Sequence, residues 1–348
     1  MADVFFHLLD AHLHLCDIPQ VEKEIEFFFS KYDKIRQYSI CTSSHSLQDW
    51  KINCHIINKI RQKYDNDKIK ICHSFGVHPQ NPDKNILYDL ETLLKYDKKY
   101  DITSIKYDTD TENMTLKYDK LNDKYDKNMT NSIKYDNAKK KYDTHSENMT
   151  SKYDTSEIKY DNSIENMTTK YDKVFAIGEC GFDLFTDEYK SSFVEQKEIW
   201  NTQLELAIKY DKPIIVHCRK GMCHIFESIE KLKKITSVIF HSFPGSVTEA
   251  NSLRKKGVNA FFSFGKPILN GNKNAMDCVK NLPLEWLLLE TDSPYQTLKG
   301  EVFTPPTDIL KVYEQVFNLR KENSEIIASK IYENFDKSII TNKIFPIL

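Results

Sequence analysis

No apolar run in the sequence approaches the roughly 20 residues that a membrane span requires, so no membrane-embedded part is expected. Nor is there an excess of positive charge: 49 Lys and Arg against 51 Asp and Glu leave a formal charge of -2. A chain so balanced does not attract polyanions by its overall field, and any phosphate binding must come from local groups. There is no CxxC pair. Eight cysteines are scattered without regular spacing, which argues against a disulfide framework and for reduced thiols. The opening Met1-Ala2-Asp3-Val4-Phe5-Phe6-His7 has neither a cationic stretch nor a long apolar core. It is expected to lead into a first strand rather than to act as a signal peptide, which gives a cytoplasmic location as the expectation. Nothing in the sequence marks an obligate protein partner.

A second kind of absence is local. Between Lys95 and Asp172, Leu, Val and Phe nearly vanish, while Lys-Tyr-Asp recurs from Lys95 to Lys170 and Asn-Met-Thr recurs at Asn113, Asn128, Asn148 and Asn166. So little apolar surface cannot offset the entropy of ordering a chain. The seven- and eleven-residue steps put Tyr beside Lys and Asp with no second apolar position, so no coiled-coil seam forms. The expectation is a low-complexity, disordered insert over 95–172. Removing it leaves about 270 residues, near the roughly 250 of a (β/α)8 barrel.

What is present are five apolar runs, each ending in an imidazole or a carboxylate. Leu8-Leu9-Asp10-Ala11-His12-Leu13-His14, Ala176-Ile177-Gly178-Glu179, Ile214-Ile215-Val216-His217, Val238-Ile239-Phe240-His241 and Leu287-Leu288-Leu289-Glu290-Thr291-Asp292 read as parallel strands. A (β/α)8 TIM barrel gathers the C-terminal ends of its strands at one mouth, where its catalytic groups sit. His12, His14, Glu179, His217, His241 and Asp292 would then converge on two divalent metal ions, an arrangement that implies hydrolysis.

The remaining segments alternate in the manner such a barrel needs. Strands two to eight are expected at 37–41, 70–75, 174–178, 213–217, 237–241, 259–263 and 286–290. Helices are expected at 21–32, 47–63, 85–94, 188–210, from 221, from 246, at 308–318 and at 324–337, the last capped by Ser324. The insert falls between helix three and strand four, on the face opposite the catalytic mouth.

Each candidate has a specific reason. His12 and His14 are two apart on a strand, so both rings point to one side, and Asp10 on the same face is expected to orient one of them. Glu179 follows Gly178, which leaves room for close approach, and is read as the carboxylate bridging two ions. His217 and His241 close two strands with no other polar residue. Asp292 is the expected general base, with Glu290 as its competitor. Cys16, Cys180 and Cys218 fall near these ligands and are expected as small apolar fillers. Nitrogen and carboxylate ligands suit Zn²⁺ or Mn²⁺.

Six stretches, in order, resemble the successive motifs of the TatD-type deoxyribonucleases. They are Asp10-Ala11-His12-Leu13-His14, Phe75-Gly76-Val77-His78-Pro79, Ile177-Gly178-Glu179-Cys180-Gly181-Phe182-Asp183, Val216-His217-Cys218-Arg219, His241-Ser242-Phe243-Pro244-Gly245-Ser246 and Glu290-Thr291-Asp292-Ser293-Pro294-Tyr295. The resemblance implies a TIM barrel, two divalent metals with Mg²⁺ favoured, and a DNA substrate whose phosphodiesters are cut from the 3′ end. It assigns His12, His14, Glu179 and Asp292 to one ion and Glu179, His217 and His241 to the other. His78 falls where the family places a residue near the substrate phosphate, and Arg219 is expected to add a second phosphate contact. The chain departs from the family at Phe303-Thr304-Pro305-Pro306, where Arg-Asn-x-Pro is usual, and at Lys220-Gly221. The rival reading is a small-molecule amide, lactone or phosphoester hydrolase of the same superfamily. Many of those carry a carbamylated Lys on strand four, where this chain has Glu179. A catalytically silent binding barrel, with the repeats as its arm, is the third reading.

Overall fold

The computed structural model describes residues 7–32, 35–65, 67–99 and 173–340. These described residues belong to one compact unit. Among the described residues, eight strands pair in sequence order, every pair parallel. They are β1 (His7–Leu13), β2 (Gln37–Ser44), β3 (Ile69–Phe75), β4 (Val174–Asp183), β5 (Ile214–Arg219), β6 (Val238–Phe240), β7 (Ala260–Phe264) and β8 (Leu287–Leu289). Between them lie α1 (Val21–Lys31), α2 (Leu47–Lys63), α3 (Asn85–Lys99), α4 (Asp187–Ser191), α5 (Phe193–Tyr210), α6 (Met222–Glu227), α7 (Ile229–Leu232), α8 (Val247–Lys255) and α9 (Lys273–Asn281). After β8 come α10 (Ile309–Leu319) and α11 (Ser324–Phe335). This is the (β/α)8 barrel that the strand-end pattern implied. The strands hold because their Ile, Val, Leu and Phe side chains are buried almost without exception.

The ring does not close through a regular ladder. Asp292 donates its N–H to the His12 carbonyl at 3.0 Å, and His14 donates to the Ser293 carbonyl at 2.8 Å. Side chains do the rest. Leu9 N–H donates to the Tyr313 hydroxyl on α10 at 3.1 Å, and Thr291 donates both its N–H (2.9 Å) and its hydroxyl (2.6 Å) to the Asp10 carboxyl. Tyr38 adds a third contact to Asp10 at 3.3 Å. Burial pushes the Asp10 carboxyl up to about 8 although the Thr291 bonds pull the other way. Asp10 therefore does not orient an imidazole, as its spacing suggested. The register of β1 shifts between Asp10 and Leu13, which breaks the two-residue period and sends Asp10 to the seam.

Other departures are local. β4 runs five residues past its expected end, and β6 and β8 are each two residues shorter than expected. The long helix expected over 188–210 is broken at Ser192, where Gln196 Nε2 donates to Ser192 Oγ and to the Asp183 and Tyr189 carbonyls. Asn323, not Ser324, caps α11, accepting from Glu325 N–H. α9, nine residues behind an Asn272 cap, was not anticipated. α3 continues to Lys99, so the first Lys-Tyr-Asp triplet belongs to a helix. The rest of the expected insert, 100–172, lies outside the described residues. α3 ends and β4 begins at the N-terminal face, so the point of insertion is as expected. Among the described residues no helix is long and apolar enough to cross a membrane.

Candidate metal centre

Glu179 is the hub. On β4, three residues from Ile177 to Cys180 span the same length as two residues of β5, so β4 carries one extra residue there. Gly178 and Gly181, at φ +152° and +140°, make this bulge possible. A Cβ would lie 2.6 Å from the Ile215 carbonyl at the first and 2.1 Å from the His217 carbonyl at the second. The bulge delivers Glu179, almost wholly buried, to a cavity of about 800 Å³.

Its two oxygens face different partners. Oε2 lies 3.1 Å from His12 Nε2 and 3.7 Å from His14 Nε2. Oε1 lies 2.7 Å from His217 Nδ1, 3.1 Å from His241 Nε2 and 3.3 Å from His78 Nε2. Asp292 sits across the β1 side, with Oδ1 3.4 Å from His14 and 3.7 Å from His12. All six residues proposed as ligands from the sequence are thus gathered at one place. No cysteine joins them, and all eight thiols are free.

Behind this ring lies a set of acids that sequence reasoning missed or cast differently. His217 Nε2 is 3.1 Å from Asp183 Oδ2, and His241 Nδ1 is 3.1 Å from Glu290 Oε1, which also accepts the Ser242 N–H at 2.8 Å. Glu290 therefore holds an imidazole in place and is poorly placed to serve as the base. Asp183 was visible in the quoted motif, three residues before Thr186, but had been given no role. Arg219 is less free than its expected phosphate role suggests. It reaches Asp183 at 3.4 Å and lies over the Phe185 ring at 4.2 Å, at the rim. His78 is positioned by its loop: Val77 pairs with Gln203 of α5 (2.8 and 3.2 Å), and Gln80 N–H donates to His78 Nδ1 at 3.2 Å. His45, in the polar turn after β2, also lines the cavity and carried no signal in the sequence.

Left to themselves, the side chains settle their charges in a revealing way. Burial opposes ionisation of Glu179, but His241, His78 and His12 outweigh it and hold the carboxyl well below its usual range. Asp292 is lowered likewise: burial is overcome by His241 and by its bond to His14. Burial would lower His241, His217 and His14, yet the facing carboxylates raise all three. His12, His45 and His78, where burial prevails, are lowered. Ionised acids surrounded by imidazoles that retain protons are the donor set that a divalent cation exchanges for those protons. Four overlapping triads have ligand atoms within 4.8 Å: His12–Glu179–His241, His12–His14–Asp292, His14–His45–Glu179 and His78–Glu179–His217. The residues fit metal binding.

Comparison with known proteins agrees with this geometry. The model of a family described as TatD related DNase matches residues 9–339. An uncharacterized metal-dependent hydrolase, YabD, from Bacillus subtilis is 35% identical over 169 residues, 47% of this chain and 64% of that protein. A 3′-5′ ssDNA/RNA exonuclease, TatD, from Pantoea ananatis is 28% identical over 172 residues, 47% of this chain and 65% of that protein. The chain thus spans less than two thirds of the length of these curated relatives. Among solved structures, the TatD homolog YjjV from Escherichia coli K12 superposes with a TM-score of 0.62 at 20% identity. That match covers 97% of this chain and 99% of the other, and shows the shared fold.

Proposed function

The chain belongs to the TatD-related DNase family, and from that premise we propose that it is a divalent-metal-dependent hydrolase of DNA phosphodiesters, working inward from the 3′ end. One observation carries the reading. The two oxygens of a single ionised carboxylate, Glu179, have different nearest imidazoles, His12 at Oε2 and His217 and His241 at Oε1, which would suit a carboxylate shared by two cations. His12, His14 and Asp292 would hold one cation and His217 and His241 the other. Mg²⁺ is the proposed native ion, and the nitrogen-rich donor set also suits Mn²⁺ or Zn²⁺. Cations bound there would lower the pKa of water and offset the charge of a phosphate.

The chain's own residues supply the rest. Asp292, ionised and only slightly exposed, takes the proton of the attacking water. Asp183 and Glu290 keep His217 and His241 in one ring orientation. Because Gln80 N–H occupies His78 Nδ1, the neutral His78 ring carries its proton on Nε2 and can donate it to a phosphate oxygen. Arg219 meets the substrate from the rim. With the formal charge at -2, these local contacts and not an overall basic field bind the nucleic acid.

The test uses the whole protein, stripped by a chelator and then reloaded. End-labelled single-stranded and duplex DNA are offered with Mg²⁺ or Mn²⁺, beside a panel of p-nitrophenyl esters. The expected result is a ladder shortening from the 3′ end, silenced by chelation and restored by either ion. Reloaded protein that leaves all DNA intact while cleaving an ester would replace the nuclease reading with the small-molecule one.

A further inference from the structure

His45 has no role in the function proposed above, and its surroundings set it apart. Both ring nitrogens are shielded from solvent, and neither has a hydrogen-bond partner. An enclosed polar atom of this kind costs free energy unless something meets it. His73 differs in part: its Nδ1 is also without a partner, but its Nε2 pairs with Ser44 Oγ at 2.7 Å and its ring stacks on Trp50 at 3.8 Å. His45 lines the cavity instead, with Nε2 3.7 Å from Glu179 Oε2 and its ring 5.4 Å from that of His14.

The ligand atoms of His14, His45 and Glu179 lie within 4.8 Å of one another. Two atoms each roughly 2.1 Å from a common ion are up to about 4.2 Å apart. A small rotation closes the difference, and no hydrogen bond to the His45 ring resists it. His78, also near, is less suited, because Gln80 fixes the proton on the nitrogen that faces Glu179.

We propose that His14, His45 and Glu179 form an additional seat for a divalent transition-metal cation, beside the pair of ions in the reading above, on which this inference rests. Two imidazoles to one carboxylate favour ions of the Co²⁺ and Zn²⁺ kind over Mg²⁺, which seeks oxygen. Valence sets the consequence. A neutral imidazole has one lone pair, so His14 serves either His12 and Asp292 or the additional seat, never both. An ion entering that seat withdraws His14 from the ion beside Asp292, and so binds more weakly than the first two. His45 thereby makes the pocket sensitive to which metal is in excess.

Calorimetry on the chelator-stripped protein, with visible absorption recorded for Co²⁺, tests this. Wild type, His45→Ala, His45→Gln and Glu179→Gln are each titrated with Co²⁺ and with Mg²⁺. One apolar and one polar replacement separate loss of a ligand from loss of fold, which far-UV circular dichroism checks. Wild type is expected to take up a further, weaker equivalent of Co²⁺ after the tight uptake. In both His45 variants that step should be absent or weakened by about tenfold or more. The tight uptake should be unchanged, and the Mg²⁺ isotherms should coincide. Identical Co²⁺ isotherms in wild type and both His45 variants overturn the additional seat, as does loss of the tight uptake when His45 is replaced. A Glu179→Gln isotherm that matches wild type overturns the two-ion reading itself.

Discussion

The β5–β6 side of the pocket and its β1–β8 side hold similar imidazoles in different ways. On the first, a carboxylate stands behind each ring, Asp183 at His217 and Glu290 at His241, both 3.1 Å away and both fully buried. On the second, His12 has only the Ser43 hydroxyl, at 3.4 Å from Nδ1, and His14 rests edge-on against the Tyr295 ring. A carboxylate behind a ligating histidine fixes its tautomer and raises its basicity. On the two-ion reading proposed above, the first side would hold its ion more tightly and the second would let its ion exchange. Asp292, the base proposed above, lies on that second side.

The most severe test of this asymmetry is to remove what the two sides share. Glu179→Gln should abolish DNA cleavage and lose at least one bound ion while far-UV circular dichroism stays native, since a neutral amide is a poor bridge between cations. Full turnover at matched metal content would show the sides to be independent of Glu179. Asp292→Asn touches the looser side alone. It should lower kcat by about 10²- to 10⁴-fold with most of the metal retained, because the amide keeps an oxygen but cannot take a proton. A pH–rate profile with its acidic limb and amplitude intact would move the base elsewhere.

Finer discrimination comes from the supports. Glu290→Gln should weaken metal affinity by about 10- to 100-fold, as competition with a graded chelator would read, whereas Ser43→Ala should change it far less. Equal losses would erase the distinction between the sides. The gentlest probe is pH. His14, His217 and His241 have raised pKa values, so below them protons compete with the cation, and affinity should climb as pH rises through them. The gain is at most about tenfold per proton and pH unit. Titrations in two buffers of different ionisation enthalpy count the protons released. Affinity that falls with rising pH would contradict the charge arrangement.

The residues proposed as ligands could be picked out because each lies at the end of an apolar run, and the fold brings those ends together. The same logic placed the barrel and its order of elements. It failed where the backbone leaves its period. Asp10 was assigned by counting two residues from His12, and the shift in β1 sends it to the seam. Glu290 was judged by its spacing from Asp292, and spacing does not reveal that β6, two strands away in the sheet, brings His241 against it. His45 lies in Ser43-Ser44-His45-Ser46, a polar turn with no apolar run to mark it. Contacts between strands distant in sequence leave no trace in any one segment.

The seam has a further meaning in terms of proton count. Aspartate in an unfolded chain titrates near 3.8, while Asp10 in the closed barrel holds its proton to about 8. Over that interval the folded chain binds one proton that the unfolded chain has surrendered. The stabilisation is complete below the ordinary aspartate range and drains as pH rises toward 8, by on the order of 1 kcal/mol per pH unit. Asp10→Asn should flatten the fall of the thermal midpoint across that window, and an unchanged slope would assign the lost proton elsewhere. Asp10 and Thr291 meet at this seam, and the adjacent backbone bonds, Asp292 N–H to the His12 carbonyl and His14 N–H to the Ser293 carbonyl, lie beside theirs. A rise in pH through that window should therefore loosen the barrel first at the seam beside Asp292, His12 and His14.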